Sequence, residues 1–123
     1  MQKKKILVVD DSKTALFVES TILRKGPYEL VTASDGMEAV EKAVAERPDL
    51  ILMDVVMPRM GGFEACQALR ERGDTQAIPI IMVTTRGEAA NVETGFASGC
   101  SDYVTKPING VELLAKVRDR LGA

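Results

Sequence analysis

Leu50-Ile51-Leu52-Met53-Asp54-Val55-Val56-Met57-Pro58 is the stretch that decides the fold. Four large apolar residues in a row, without alternation, describe a strand buried on both faces, as parallel strands are when helices cover both sides of a sheet. The run then breaks on an ionisable residue, Asp54, with a proline four positions later. Outward from it, Ile6 to Val9, Tyr28 to Ala33, Ile78 to Val83 and Tyr103 to Val104 read as further strands. The segments between them have helical spacing. After Ser12, a helix-capping residue, Ala15, Val18 and Ile22 recur on one face until Gly26-Pro27 stops the run. After Gly36 come Ala39, Val40, Ala43 and Val44, closed by Pro48; after Gly61-Gly62 come Phe63, Cys66 and Leu69, closed by Gly73. Residues 88 to 98 and 110 to 121 supply two more helices, the last with Val111, Leu114, Val117 and Leu121 as its inner stripe.

Five strands alternating with five helices, joined by short connections, require right-handed crossovers and a parallel sheet between two helix layers. The expected fold is α/β: a doubly wound five-stranded parallel sheet of order 2-1-3-4-5, a flavodoxin-like (βα)5 unit filling residues 1–123 as one domain. With 123 residues, 46% hydrophobic and 28% charged, the composition fits an ordinary globular domain. Lys and Arg number 16 against 18 Asp and Glu, a net charge of −2 that argues against nucleic acid or an anionic membrane as a direct partner. Histidine is absent, which removes histidine-bound zinc and the Ser-His and Cys-His nucleophiles. Cys66 and Cys100 fall in apolar stretches and suit buried thiols in a reducing compartment. No apolar run nears the ~20 residues that span a bilayer, and the stretch after Lys3-Lys4-Lys5 is too short for a secretory leader, so a cytoplasmic protein is expected. Gly122-Ala123 follow directly on the last helix, so no output module is expected within these residues, which fit a single-domain protein or one domain of a larger chain alike.

Sheets of this kind bind ligands outside the carboxyl ends of their strands, where the strand order reverses, here between the first and third. The residues at those ends are Asp10-Asp11, Asp54, Thr84-Thr85 and Lys106-Pro107. Each alone has an ordinary explanation: Asp caps helices, Thr is at home in strands, and lysine neutralises acids. Together they form a pattern. Strands about 4.8 Å apart bring Asp11 and Asp54 face to face, and two like charges about 4 Å apart cost on the order of 4 kcal/mol at an effective dielectric of 20. A countercharge is needed, and an oxygen-only donor set suits Mg²⁺. Asp54, ending the buried central strand, is the candidate nucleophile, and Asp10 and Asp11 are candidate metal residues. Lys106 and the Thr84 hydroxyl are placed for the remaining oxygens of a phosphoryl group.

In residues 6–12, in residues 50–58 with Gly61-Gly62 following, in Pro79 to Thr84, and in Gly99 to Pro107 with Asp102-Tyr103 and Lys106, the chain resembles the receiver domain of bacterial two-component response regulators. The resemblance covers the whole chain and includes the single-domain chemotaxis type. It implies a phosphorylation-dependent signalling switch that is not an enzyme in the usual sense, although it assists its own phosphorylation and dephosphorylation. It implies that Asp54 accepts phosphate from a sensor histidine kinase, a phosphotransfer protein or a small phosphodonor. It further implies Mg²⁺ ligands in Asp11, Asp54 and the main-chain carbonyl of Val56, with Asp10 acting through water, and a switch made of Thr84, Lys106 and a reorienting Tyr103. The implied output is a changed surface on the fourth helix, fifth strand and fifth helix, read by a downstream effector protein, in a monomer or a weak phosphorylation-linked dimer. Two positions depart from the commonest pattern of the family. Thr85 stands where Ala or Gly is usual, and Val56 has no polar side chain to place a hydrolytic water; Val56 and Arg86 are expected to tune the lifetime of the phosphorylated state.

Other functions fit less well. A haloacid-dehalogenase-like phosphatase carries a second Asp two residues after its nucleophile, where this chain has Val56. A dinucleotide-binding module needs G-x-G-x-x-G after the first strand, and residues 10–15 contain no glycine. A phosphorylation-independent interaction module has no use for the complete set of rim residues.

Overall fold

Ten elements alternate along residues 3–85 and 89–122, the residues described by the structure, a computed structural model. They are β1 (Lys4–Val9), α1 (Lys13–Leu23), β2 (Tyr28–Ala33), α2 (Gly36–Glu46), β3 (Leu50–Asp54), α3 (Gly62–Arg70), β4 (Ile80–Thr85), α4 (Ala89–Ser98), β5 (Asp102–Lys106) and α5 (Gly110–Leu121). All pairings are parallel and the sheet order is β2-β1-β3-β4-β5, as the alternation of apolar runs predicts.

Successive strand residues point to opposite faces, so each unbroken apolar run feeds two cores at once. Leu7, Val9, Ile51 and Met53 join one core with Ala39 and Ala43 of α2 and Cys66 and Leu69 of α3. Ile6, Val8, Leu50 and Leu52 join the other with Leu23 of α1 and Leu113, Leu114 and Val117 of α5. Three helices start on side-chain caps: Ser12 accepts the Ala15 N–H, Asp35 the Glu38 N–H and Asn109 the Glu112 N–H.

The expected inner stripe of α1 is corrected, and that of α5 holds at Leu114, Val117 and Leu121 but not at Val111. On α1 the buried residues are Glu19, Ser20 and Leu23, while Val18 is 46% exposed. On α5, Leu113, Leu114 and Val117 are buried, while Val111 is 81% exposed. One residue turns a helix by about 100°, and α1 presents the side of Glu19, Ser20 and Leu23 to the sheet, with Leu16 and Ile22 packed half-buried against the core. Strand boundaries also move. The Ile78 N–H bonds back to Thr75 in a turn and Pro79 has no N–H, so β4 begins at Ile80. At its other end β4 reaches Thr85, and β5 runs to Lys106.

Candidate functional site at the carboxyl rim of the sheet

Because β1, β3, β4 and β5 are adjacent and parallel, their carboxyl ends converge on one rim. Asp54 is the last residue of β3 and only 7% exposed. Asp10, just after β1, is 1% exposed; its Oδ1 accepts the Ser12 N–H at 2.9 Å, and its Oδ2 has no hydrogen-bond partner. Asp11 is exposed. These three residues each bring a carboxylate oxygen within 4.8 Å of the others, an arrangement that could hold a metal ion. Lys106, ending β5, places Nζ 3.2 Å from Asp54 Oδ1 and 3.6 Å from Asp10 Oδ2, and the bond to Pro107 is cis. Thr84 lies on β4 between those strands, buried, with Oγ1 lacking any hydrogen-bond partner.

The loop after Asp54 turns back sharply: the Gly62 N–H donates to the Val55 carbonyl at 2.8 Å, and a Cβ at Gly62 would collide with the Asp54 carbonyl oxygen. Only glycine permits that approach, and the turn leaves Val56 at the surface beside the acids.

One ammonium shared by two buried carboxylates sets the electrostatics. Burial pushes the Asp54 carboxyl above its ordinary value and Asp10 adds to the push, while Lys106 opposes both without cancelling them. Burial works against the Lys106 ammonium too, yet Asp54 and Asp10 together hold it above its ordinary value. The thiols are different: Cys66 and Cys100 are free and buried, and burial pushes Cys100 up to about 11, which leaves both unreactive.

Of the residues the sequence points to, the structure gathers Asp10, Asp11, Asp54, Thr84 and Lys106 at the rim. Tyr103 pairs with Met82, which puts it on the same sheet face as Thr84 and two register pairs below it. Its ring meets Phe96 edge-on, with centroids 6.0 Å apart, and Lys116 Nζ lies 5.0 Å from its centroid. Arg86 lies outside the described residues.

Glu19 is absent from the residues the sequence reading selects. It stands on the buried side of α1, 1% exposed, and neither carboxylate oxygen has a hydrogen-bond partner. Burial first, and Asp10 next, push its carboxyl up to about 8, with Lys106 opposing. A signal existed, since Leu16, Glu19 and Leu23 share an i, i+3, i+7 stripe.

The fold and rim define a class, and the comparisons agree with it. The family model described as the response regulator receiver domain matches residues 6–118. The chain belongs to that family. It is 41% identical over 115 residues to the alkaline phosphatase synthesis transcriptional regulatory protein PhoP of Bacillus subtilis, covering 94% of this chain and 47% of the relative. The chain thus spans about half the length of the transcriptional regulators it matches. Its structure superposes on the chemotaxis response regulator CheY4 of Vibrio cholerae with a TM-score of 0.89 at 37% identity, covering 97% of this chain and 99% of that one. The receiver domain of a Pseudomonas aeruginosa sensor histidine kinase, determined with a magnesium ion coordinated in its active-site cleft, gives a TM-score of 0.91 at 30% identity and covers 99% of this chain and 100% of that one.

Proposed function

We propose that the protein is a switch in which Asp54 accepts a phosphoryl group from a sensor histidine kinase or phosphotransfer protein. One observation carries the reading: around Asp54 the rim holds a lysine, a buried hydroxyl and a buried carboxylate oxygen, and the last two have no hydrogen-bond partner. Groups left unsatisfied at that cost are prepared for a ligand. An Asp54 oxygen attacks phosphorus, the P–N bond of the donor phosphohistidine breaks, and the imidazole leaves with the electron pair. The Lys106 ammonium and the Thr84 hydroxyl then donate to oxygens of the acyl phosphate.

The donor set fits Mg²⁺, being oxygen-only with the orphaned Oδ2 of Asp10 at its edge. Asp11, Asp54 and the Val56 carbonyl would hold the ion and Asp10 would act through water, and the magnesium in the cleft of the Pseudomonas aeruginosa receiver supports this. Bound there, Mg²⁺ supplies positive charge opposite the phosphoryl oxygens.

The output follows from the same donors. Drawing Thr84 toward the phosphoryl group alters the face it shares with Tyr103, and so the surface of α4, β5 and α5 that a downstream effector reads. Val56, exposed beside Asp54, offers a hydrolytic water no hydrogen bond, so Val56→Asn speeds dephosphorylation. The unit is taken as residues 1–123, cytoplasmic, monomeric or weakly dimeric when phosphorylated, with protein partners in place of direct nucleic-acid contact. No helix among the described residues is long and apolar enough to cross a membrane.

Intact-mass measurement after incubation with acetyl phosphate and Mg²⁺ tests the reading. One phosphoryl adduct, absent without Mg²⁺ and mapped to Asp54, is expected; an unmodified mass overturns it.

A further inference from the structure

Between Asp54 and α3 the chain is fixed at two points. At the first, the Gly62 N–H donates to the Val55 carbonyl at 2.8 Å. At the second, the Gly36 N–H donates to the Met60 carbonyl at 2.9 Å, so close an approach that a Cβ at Gly36 would collide with that carbonyl. Residues 56–59 run between these points and include a strained one. Among the described residues, Arg47 and Arg59 are the two other than glycine with positive φ, 48° and 66°. Arg47 has an ordinary reason, since it is the C-cap of α2. Arg59 ends no helix. It sits in a three-residue turn closed by the Met60 N–H on the Pro58 carbonyl at 2.7 Å, a tight and rarely used form. Asp35 holds it there: Oδ2 accepts from Arg59 Nε at 2.9 Å and pairs with Nη2 at 2.7 Å, while Oδ1 accepts the Glu38 N–H at 2.8 Å. Backbone in such a conformation persists only where its surroundings over-determine it, and it gathers at functional sites.

We infer that Arg59 is a positioning residue of the site: its pair with Asp35 holds the left-handed turn, and the turn holds the Val56 carbonyl where a divalent cation needs it. The inference rests on the reading that gives that carbonyl to Mg²⁺ and deepens it. The path from the pair to the carbonyl is short and has little slack. The ring of Pro58 fixes its φ, and Met57 is restricted because it precedes proline. The Met57 side chain also packs half-buried against the core. On the other side of Val56, Val55 is buried and its carbonyl is bonded to Gly62. Few dihedral angles are left through which Val56 could absorb a change at Arg59. Arg59 acts through the backbone and needs no contact with the ion.

The sign of one substitution separates this role from charge and from packing. As a charge alone, Arg59 repels Mg²⁺, and its removal would tighten binding. As a packing residue alone, it would move stability and affinity together. As a positioning residue it serves the cation at a cost to the fold, so Arg59→Gly, with a residue at ease at positive φ, weakens Mg²⁺ binding and keeps the melting temperature within about 2 °C. Amide NMR titration of the full chain with Mg²⁺ compares wild type, Arg59→Gly, Asp35→Asn, which keeps an oxygen for the α2 cap, and the double variant. Each single variant is expected to raise the half-saturation by about threefold to tenfold, and the double variant no further, because either change breaks the same pair. In metal-free protein the Met60 and Gly36 amide hydrogens should exchange with solvent faster in both single variants. A half-saturation that falls or stays constant in Arg59→Gly, effects that add in the double variant, unchanged exchange, or a melting temperature that drops with the affinity each overturn the inference. The receiver reading survives any of these, provided that the wild type still gains its phosphoryl adduct. A wild-type protein without Mg²⁺-dependent shifts overturns the Mg²⁺ reading, and this inference with it.

Discussion

Asp35 and Asp54 stand at the same rim of the same sheet with the same exposure, 7%, yet they ionise in opposite senses. Asp35, just after β2, accepts the Glu38 N–H at 2.8 Å, and its Oδ2 takes both Arg59 Nε at 2.9 Å and Arg59 Nη2 at 2.7 Å. The Glu38 N–H and the guanidinium hold its carboxyl below the ordinary carboxylate range. Asp54 shares one ammonium with Asp10 and sits above that range. Burial pushes both carboxyls up; at Asp35 the Glu38 N–H and the guanidinium outweigh it, whereas at Asp54 a neighbouring carboxylate adds to it and one shared ammonium does not cancel it. The Asp35 corner is a finished structural joint. It caps α2, and the neighbouring Gly36 N–H donates to the Met60 carbonyl at 2.9 Å, tying α2 to the loop that carries Val56. The Asp54 corner is left short of donors, and in the proposed function Mg²⁺ and a phosphoryl group make up the shortfall.

The contrast can be broken at several points. The largest effect is all or none: the phosphoryl adduct disappears in Asp54→Asn, whose amide cannot form an acyl phosphate, and persists in Asp35→Asn. Mass spectra of the two variants under acetyl phosphate decide it, and loss in both would erase the distinction between the corners. Next is Glu19. Its folded value of about 8 lies above the unfolded 4.5, so ionisation opposes folding: the penalty is absent below pH 4.5, grows through that window and is constant above it. Glu19→Gln should then gain on the order of 5 kcal/mol at pH 9 and nothing at pH 4, read from urea unfolding at both values. A gain independent of pH would place the effect in packing.

Lys106→Ala leaves Asp10, Asp54 and Glu19 without an ammonium, and should cost roughly 1–2 kcal/mol at pH 7 once the lysine's partial exposure is allowed for. Denaturant midpoints measure it, and a stabilised variant would mean that the ammonium contributes no net stability at the rim. Asp35→Ala removes a cap and should lower the melting temperature by about 5 °C. Because the folded carboxyl value is depressed, that contribution is present above pH 3.8 and is lost as pH falls through the lower folded value, so wild type and variant converge in acid. The smallest effect belongs to Arg59→Ala. Its side chain is 59% exposed, and the melting point should move by about 2 °C or less. A larger drop would show that the guanidinium, more than the helix cap, finishes the joint.

Particular elements show how far the sequence could be read. Leu50 to Met53 and Ile6 to Val9 announce buried parallel strands because both of their faces must be apolar, and nothing distant is needed to see it. Asp10, Asp54, Thr84 and Lys106 are legible for the same reason, since the end of each run marks the rim. Tyr103 was legible as a strand residue, but its edge-on contact with Phe96 was not.

The sequence by itself determined the order of elements, the topology that alternation forces and the identity of the rim acids. All of these follow from local periodicity and from the handedness of the crossovers. Only the tertiary structure decided how α1 and α5 are turned on the sheet, and with that the burial of Glu19 and the exposure of Val111. The faces of a short helix differ little in apolar content, and the choice between them is made by the sheet residues that the helix meets. The Arg59–Asp35 pair and the Lys106 bridge to Asp10 and Asp54 belong to the same category. They join residues 24, 96 and 52 positions apart in sequence, and no local pattern records which charges the folded chain brings within reach.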